Sequence, residues 1–187
     1  MLPNLATLCI GVPPGKRARA DKPYEDYDED ESIALVSING PELEKLPDEM
    51  KNTPAVVKAA VGQDGNALRY ASDELRNDVG IVTAAVMSKG WALRYASDKL
   101  RDNDEIVKEA VRNAGITLMN ASERLKKNPE IVKLAIRDYW PAFQYASEEL
   151  RQQKEIRQLR DDMFNEQLKA DADKQEKFFP SPKYRRY

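Results

Sequence analysis

The chain has 187 residues, a formal charge of -2 and an isoelectric point near 5.5, which argues against a dedicated binder of nucleic acid or of anionic membrane surfaces. A single cysteine, Cys9, and no histidine exclude an internal disulfide and remove the commonest metal ligand and general base, so no catalytic, cofactor or metal site is expected. One third of the residues are charged and 41% are apolar, proportions that suit a thin, surface-rich fold with polar tails.

Residues 1–31 read as an irregular arm. Pro3, Pro13-Pro14-Gly15, the basic cluster Lys16-Arg17-Ala18-Arg19 and Pro23 leave no helical or alternating pattern. The start lacks a basic leader before a continuous apolar stretch, and no apolar run approaches the roughly 20 residues of a membrane span. The expected location is intracellular, in cytoplasm, in an organelle or within a virus particle, and not secreted. Residues 24–31 (YEDYDEDE) form a dense acidic run. It reads either as a solvated segment whose carboxylates favour the start of the next helix, or as a docking strip for a basic partner.

From Ser32 to Ile156 a 25-residue period governs the chain. LRYASDEL at 68–75 returns as LRYASDKL at 93–100, LMNASERL at 118–125 and FQYASEEL at 143–150. Ile81-Val82, Ile106-Val107 and Ile131-Val132 keep step with it, as do Gly40, Gly65, Gly90 and Gly115. A unit this short cannot bury its own apolar face and has to stack on copies of itself. Pro41 and Pro141 share one register and Pro54 and Pro129 another; proline suits the first turn of a helix, so these positions open the two helices of a unit. The first helix turns Leu43, Leu68, Leu93, Leu118 or Phe143 inward and ends near Pro47 or its equivalent serine. Thr53, Asp78, Asn103 and Asn128 are expected N-caps of the second helix, whose apolar positions fall at i, i+1, i+4 and i+5. The glycines are expected to supply left-handed C-caps.

Beyond Leu150 the pattern decays, with Arg157, Arg160 and Asp161 where apolar residues stood before. A long charged helix is expected over 148–177, its portion beyond the repeats being 157–177, with a thin stripe of Ile156, Leu159, Met163 and Leu168. Residues 178–187 (FFPSPKYRRY) close the chain as an aromatic and basic tail. The predicted fold is all-α: a short α-solenoid of helix-turn-helix repeats, period 25, with a long C-terminal helix and irregular extended tails.

The run A-L-R-Y-A-S-D-x-L-R-x-[DN] followed by E-I-V-x-x-A-V-x-x-x-G resembles a short helical repeat of unknown function, found in tandem in proteins of giant viruses, algae, other protists and some bacteria. Residues 67–90 and 92–115 carry it best; 117–139, 142–156 and the divergent 42–65 carry it less well. Trp140, where glycine is expected, departs from the pattern. The resemblance implies a repeat fold and no chemistry.

Four features bear on function. Tyr70, Tyr95 and Tyr145 recur at one register, broken by Asn120, and either pack between layers or line a binding face. Arg76, Arg101, Lys126 and Arg151, reinforced by Arg69 and Arg94, either pair with Asp73, Asp98, Glu123 and Glu148 or bind phosphate or an acidic partner; residues 66–153 hold 14 basic and 13 acidic side chains, so no net field draws nucleic acid. Trp91 and the cluster Tyr139, Trp140 and Phe143 either cap the last layer or anchor a partner. Phe178, Phe179, Tyr184, Arg185, Arg186 and Tyr187 cannot form a core of their own and read as anchors on another subunit. The expected function is a non-enzymatic structural or interaction subunit of a larger intracellular assembly, the repeats a spacer and the tails its contacts with other protein subunits. The alternative is a peptide-binding adaptor using the tyrosine face.

Overall fold

The computed structural model describes the backbone of residues 22–178 and the side chains of residues 22–174. Cys9, residues 16–19, Phe179, Tyr184, Arg185, Arg186 and Tyr187, with the side chain of Phe178, fall outside the described residues.

Each 25-residue period folds as three elements rather than the expected two. Helix α1 (Glu29–Ile38) is followed by a 3₁₀-helix, Gly40–Lys45, and a single turn, α2 (Asp48–Lys51). The next unit is α3 (Pro54–Gln63), Gly65–Tyr70 and α4 (Asp73–Arg76); the third is α5 (Val79–Ser88), Gly90–Tyr95 and α6 (Asp98–Arg101). Helix α7 (Asp104–Asn113) leads into Gly115–Asn120 and a 3₁₀ turn, Leu125–Lys127, and α8 (Pro129–Asp138) into Trp140–Tyr145 and α9 (Glu148–Gln152). The chain then runs along α10 (Lys154–Phe178). Among the described residues there is no strand. Long helices pack on their successors from α1 to α10, and the 3₁₀-helices stack in a parallel row.

The leucine and valine registers of the sequence pattern are filled as expected, while Phe143, in the leucine register of the last unit, is only half-buried. Leu43, Leu68, Leu93 and Leu118 are fully buried, as are Val57, Val82, Val107 and Val132 on the long helices. In a 3₁₀-helix residues three apart eclipse one another. Gly65 and Leu68 therefore share the inner side, and Asn66 and Arg69 the outer. Asp78 caps α5 by accepting from the Ile81 N–H at 2.8 Å, Asn103 caps α7, and Asn128 caps α8. Thr53 does not cap α3: its hydroxyl donates backwards to the Glu49 carbonyl at 2.9 Å.

The repeated glycines are not left-handed C-caps. They stand at the start of the 3₁₀-helices, and none has a positive φ. What excludes a side chain is contact with the next unit. A Cβ on Gly40, Gly65, Gly90 or Gly115 would lie 2.3–2.6 Å from the carbonyl oxygen of Ala60, Ala85, Ala110 or Ala135. The freed N–H groups are taken by the end of the same helix: Gly40 donates to Gln63 Oε1 and Gly90 to Asn113 Oδ1, both at 2.8 Å. Gly65 and Gly115 donate to Ser88 Oγ and Asp138 Oδ2.

A second ladder joins the single-turn elements. The backbone N–H groups of Ser72, Ser97, Ser122 and Ser147 donate to the carbonyls of Lys51, Arg76, Arg101 and Lys126 at 2.9–3.1 Å. Each serine Oγ also accepts from the amide three residues on, as an N-cap does. The Ser72 and Ser97 hydroxyls donate across to Asn52 and Asn77 at 2.6 and 2.7 Å, and that of Ser122 to Asp102. Pro47 occupies this register in the first unit and has no N–H to offer.

Both ends differ from the expected boundaries. The acidic run is not wholly irregular: Tyr24–Asp26 forms a 3₁₀ turn, and α1 begins at Glu29 with a reciprocal capping box between Asp28 and Glu31. That places α1 one period before α3, as the long helix of a first unit. At the other end the helix expected over 148–177 is broken at Gln153. The first residues of α10 take the place of the next long helix, with Ile156 fully buried and Leu159 and Met163 packed on the core. Arg157, Arg160 and Asp161 replace the side chains that would hold a further layer, so the end of the stack is polar. No helix among the described residues is long and apolar enough to cross a membrane.

Candidate interaction surfaces

The row of 3₁₀-helices presents one face to solvent. Its outward positions in the second to fifth units are Asn66, Arg69 and Tyr70, then Trp91, Arg94 and Tyr95, then Ile116, Met119 and Asn120, then Pro141, Gln144 and Tyr145. None is a carboxylate. The tyrosine rings are half-buried: each packs against its layer and leaves an edge exposed. The Arg69 guanidinium lies over the Tyr70 ring at 4.3 Å and that of Arg94 over the Tyr95 ring at 4.5 Å. Each arginine also donates to the hydroxyl of its own tyrosine. The Tyr70 hydroxyl donates to Glu44 of the preceding unit at 2.8 Å; desolvation, with the Glu44 carboxylate beside it, raises the phenol above its ordinary value.

The basic ladder divides. Arg76 pairs with Asp73, Arg101 with Asp98, and Lys126 with Glu123 at 2.9 Å, all three residues apart on exposed turns. Arg69 and Arg94 do not belong to it: neither forms an ion pair among the described residues. Arg151 also lacks its expected pairing with Glu148. Asp102 joins units differently, accepting from Ser122 and pairing with Arg124 at 2.9 Å. These bonds, the serine hydroxyl first, hold its carboxyl below the usual value against partial desolvation.

At the last joint Trp140 is half-buried, its ring edge-on to Phe164 of α10 with centroids 5.0 Å apart. Phe143 lies under the Arg160 guanidinium at 4.8 Å. Trp140 therefore closes the last layer instead of standing free. Trp140 stands in the register of Gly115 and its counterparts. Tyr139, 40% exposed, and Trp91, 37% exposed, remain open to solvent. Phe178 is helical in backbone, and the other tail residues singled out from the sequence fall outside the described residues.

A surface that the sequence reading passed over lies on the long helices. The twenty residues of α3 and α5 include one charged side chain, Lys58, whereas α7 carries five and α8 four. The outward positions of α3 and α5 are Ala55, Lys58, Ala59 and Gly62, then Gly80, Thr83, Ala84 and Met87. Ile38 of α1, Val79 and Met87 are 48%, 55% and 61% exposed. A count of charges per long helix would have found it, since the run VGIVTAAVMS is uncharged on every side.

The architecture defines an all-α solenoid of 25-residue units whose distinguishing surfaces, among the described residues, are open faces. The chain belongs to the family described as Domain of unknown function (DUF4116), whose model matches residues 28–76, 54–101, 78–126 and 103–151. Each match spans about two periods in an overlapping series, and together they run from α1 to α9. No curated protein and no solved structure matches the chain.

Proposed function

We propose that the chain is a non-enzymatic structural or interaction subunit of a larger intracellular assembly, in which the stack is a spacer that presents faces to other proteins. The observation that carries this reading is the outer face of α3 and α5, on which Lys58 is the one charged side chain. Helices that face water in the same array carry charge on the equivalent positions, all four in α7 and all but Leu134 in α8. A contiguous run of small and apolar side chains with Val79 and Met87 exposed is the composition of a covered face. Alanine and glycine at Ala55, Ala59, Gly62, Gly80 and Ala84 leave room for close approach of a partner's backbone. In this reading Phe178, Phe179, Tyr184, Arg185, Arg186 and Tyr187 are further anchors on neighbouring subunits, supported by their composition.

The test is cross-linking and affinity purification of the tagged full chain from its native host, alongside an Ala84→Glu, Met87→Glu variant. A stable complex that the variant loses, with its thermal midpoint unchanged, supports the reading. A wild-type chain recovered as a free monomer defeats it.

A second reading, a peptide-binding adaptor, is favoured by the 3₁₀ row. Half-buried Tyr70, Tyr95 and Tyr145 leave a continuous exposed face, which rings buried between layers would have abolished.

A further inference from the structure

We infer that the face formed by the 3₁₀-helices recognises an extended acidic peptide segment of a protein partner, with Arg69 and Arg94 as successive carboxylate receptors and Trp91 and Met119 as the apolar ground beside them. This rests on the peptide-binding reading and adds the ligand's chemistry and spacing to it.

The two arginines are set apart from the rest of the basic residues in the stack. Arg76 and Arg101, on the adjoining row, are each neutralised by an aspartate three residues away. Among the described residues Arg69 and Arg94 have no such partner; Glu44, at the edge of the row, bonds to the Tyr70 hydroxyl and forms no ion pair with a guanidinium there. Each guanidinium is instead laid on a tyrosine ring at 4.3 or 4.5 Å and fastened by that ring's hydroxyl. Arg69 also lies within reach of the Tyr95 hydroxyl, and a guanidinium has five N–H donors, so a planar fork held in this way still has donors to offer a carboxylate. Because the fork is held before binding, less side-chain freedom is lost when an anion arrives.

The rest of the face has the composition of a recognition surface. From Asn66 to Tyr145 its outward positions hold two arginines and no carboxylate, with Trp91 37% and Met119 40% exposed. Trp, Tyr, Arg and Met are the residues that interface cores favour. The charge is local, since the whole chain carries -2 and the adjoining row sets acids beside its bases. A long polyanion would meet Asp73, Asp98 and Glu123 on that row, so a short acidic segment fits better than a nucleic acid.

The period supplies the spacing. Neighbouring layers of packed helices stand about 8–10 Å apart, and a segment in the polyproline II conformation advances about 3.1 Å per residue with three residues per turn, so that every third side chain returns to the same side. Three peptide residues therefore span one layer. Carboxylates three residues apart meet Arg69 and Arg94, and an apolar residue three further on reaches Met119.

The experiment is fluorescence anisotropy of the full chain with a set of fluorescein-labelled decapeptides. Each carries two glutamates separated by two to five positions and a leucine three residues further on, and each has a glutamine counterpart. Competition by a labelled oligouridine is measured in parallel. The expected result is tightest binding when the glutamates are three apart. Binding should weaken on the order of tenfold in the glutamine counterpart, weaken with salt, and fall in Arg69→Gln and Arg94→Gln while the thermal midpoint holds. Equal binding of the glutamate and glutamine peptides, with loss in Trp91→Ala, overturns the acidic ligand and leaves a peptide-binding face standing. Binding of none of the peptides overturns both, and preferential binding of oligouridine overturns the peptide in favour of a nucleic acid.

Discussion

A side-chain carbon on Gly65 would stand 2.3 Å from the carbonyl oxygen of Ala85, one unit further along the stack. The obstacle is backbone, which cannot swing aside, and the glycine's own φ is unstrained. Gly65→Ala should therefore destabilise the chain through overpacking alone, by about 1–3 kcal/mol. Gly62 is the control: nothing lies within 4 Å of its Cβ position, and alanine there should stabilise α3 by about 0.5–1 kcal/mol. Urea denaturation of the two variants should move the midpoint in opposite directions. A matching shift would show that the glycine register is not a contact between units.

Ser97 separates the two roles of its register. Ser97→Ala removes the cap on the Leu100 amide and the bond to Asn77 and keeps the backbone bond to Arg76; it should cost about 1 kcal/mol. Ser97→Pro also deletes the donor. Its φ of -59° matches that of Pro47 at -56°, and Ala96 before it is already extended. Any loss beyond the alanine variant then measures the bond between units, expected at about 0.5–1.5 kcal/mol. Equal midpoints for the two variants would mean that this ladder contributes nothing.

Leu93 is fully buried between the third unit and its neighbours. Leu93→Ala should cost about 2–5 kcal/mol, and in a stack with contacts only between neighbours the loss should be local. Hydrogen exchange is expected to quicken in α5, α6 and α7 and to change little in α10. Uniform loss of protection along the whole chain would mean that the stack unfolds as one unit.

The regular part of this architecture was legible because each unit repeats the same burial problem. Leu68, Leu93 and Leu118 occupy one register, and Asp78, Asn103 and Asn128 cap one helix each, all as a linear reading expects. The glycines were misread because their cause is remote: Gly65 is required by Ala85, twenty residues away, and local chemistry alone suggests a cap. The start of α1 was hidden because Glu31 and Ser32 stand where Val56 and Val57 stand one period later. Of the surfaces, Trp91 and the tyrosine register were visible as residue types. That Arg69 and Arg94 lie on those rings and escape the aspartate ladder needed the eclipsed geometry of a 3₁₀-helix, which the periodicity of the sequence does not distinguish from α.

Asp102 gives the stack a pH dependence with a definite sign. The Ser122 hydroxyl and the Arg124 guanidinium hold its carboxyl below the ordinary aspartate value of 3.8. A depressed folded value contributes stability above the unfolded value and loses it as pH falls through the folded one. Asn52 and Asn77 occupy the same register in two earlier units and accept the same serine bond. Asp102→Asn should therefore keep the Ser122 contact, lose the Arg124 pairing, and be slightly less stable than the wild type at pH 7. Well below pH 3.8 the two should unfold at the same midpoint, because the wild-type carboxyl is then neutral as well. A gap that persists unchanged into that acid range would show that the difference comes from packing and not from the charge.

Trp140 and Ile156 test how the stack is closed. Ile156 is fully buried in the register of Ile131, one unit earlier, while Trp140 meets Phe164 edge-on at 5.0 Å. Ile156→Ala should cost about 2–5 kcal/mol, since it empties a core position beneath the terminal helix. Phe164→Ala removes an aromatic pair worth about 0.5–1.5 kcal/mol beyond its area and leaves Ile156 in place. It should therefore free the distal part of α10 while α8 stays protected. Hydrogen exchange resolved along the chain separates the two: faster exchange in α8 and α10 together for Ile156→Ala, and in α10 alone beyond Met163 for Phe164→Ala. If Phe164→Ala loosens α8 as much as Ile156→Ala does, then the aromatic joint, and not the isoleucine beneath it, is what ends the array.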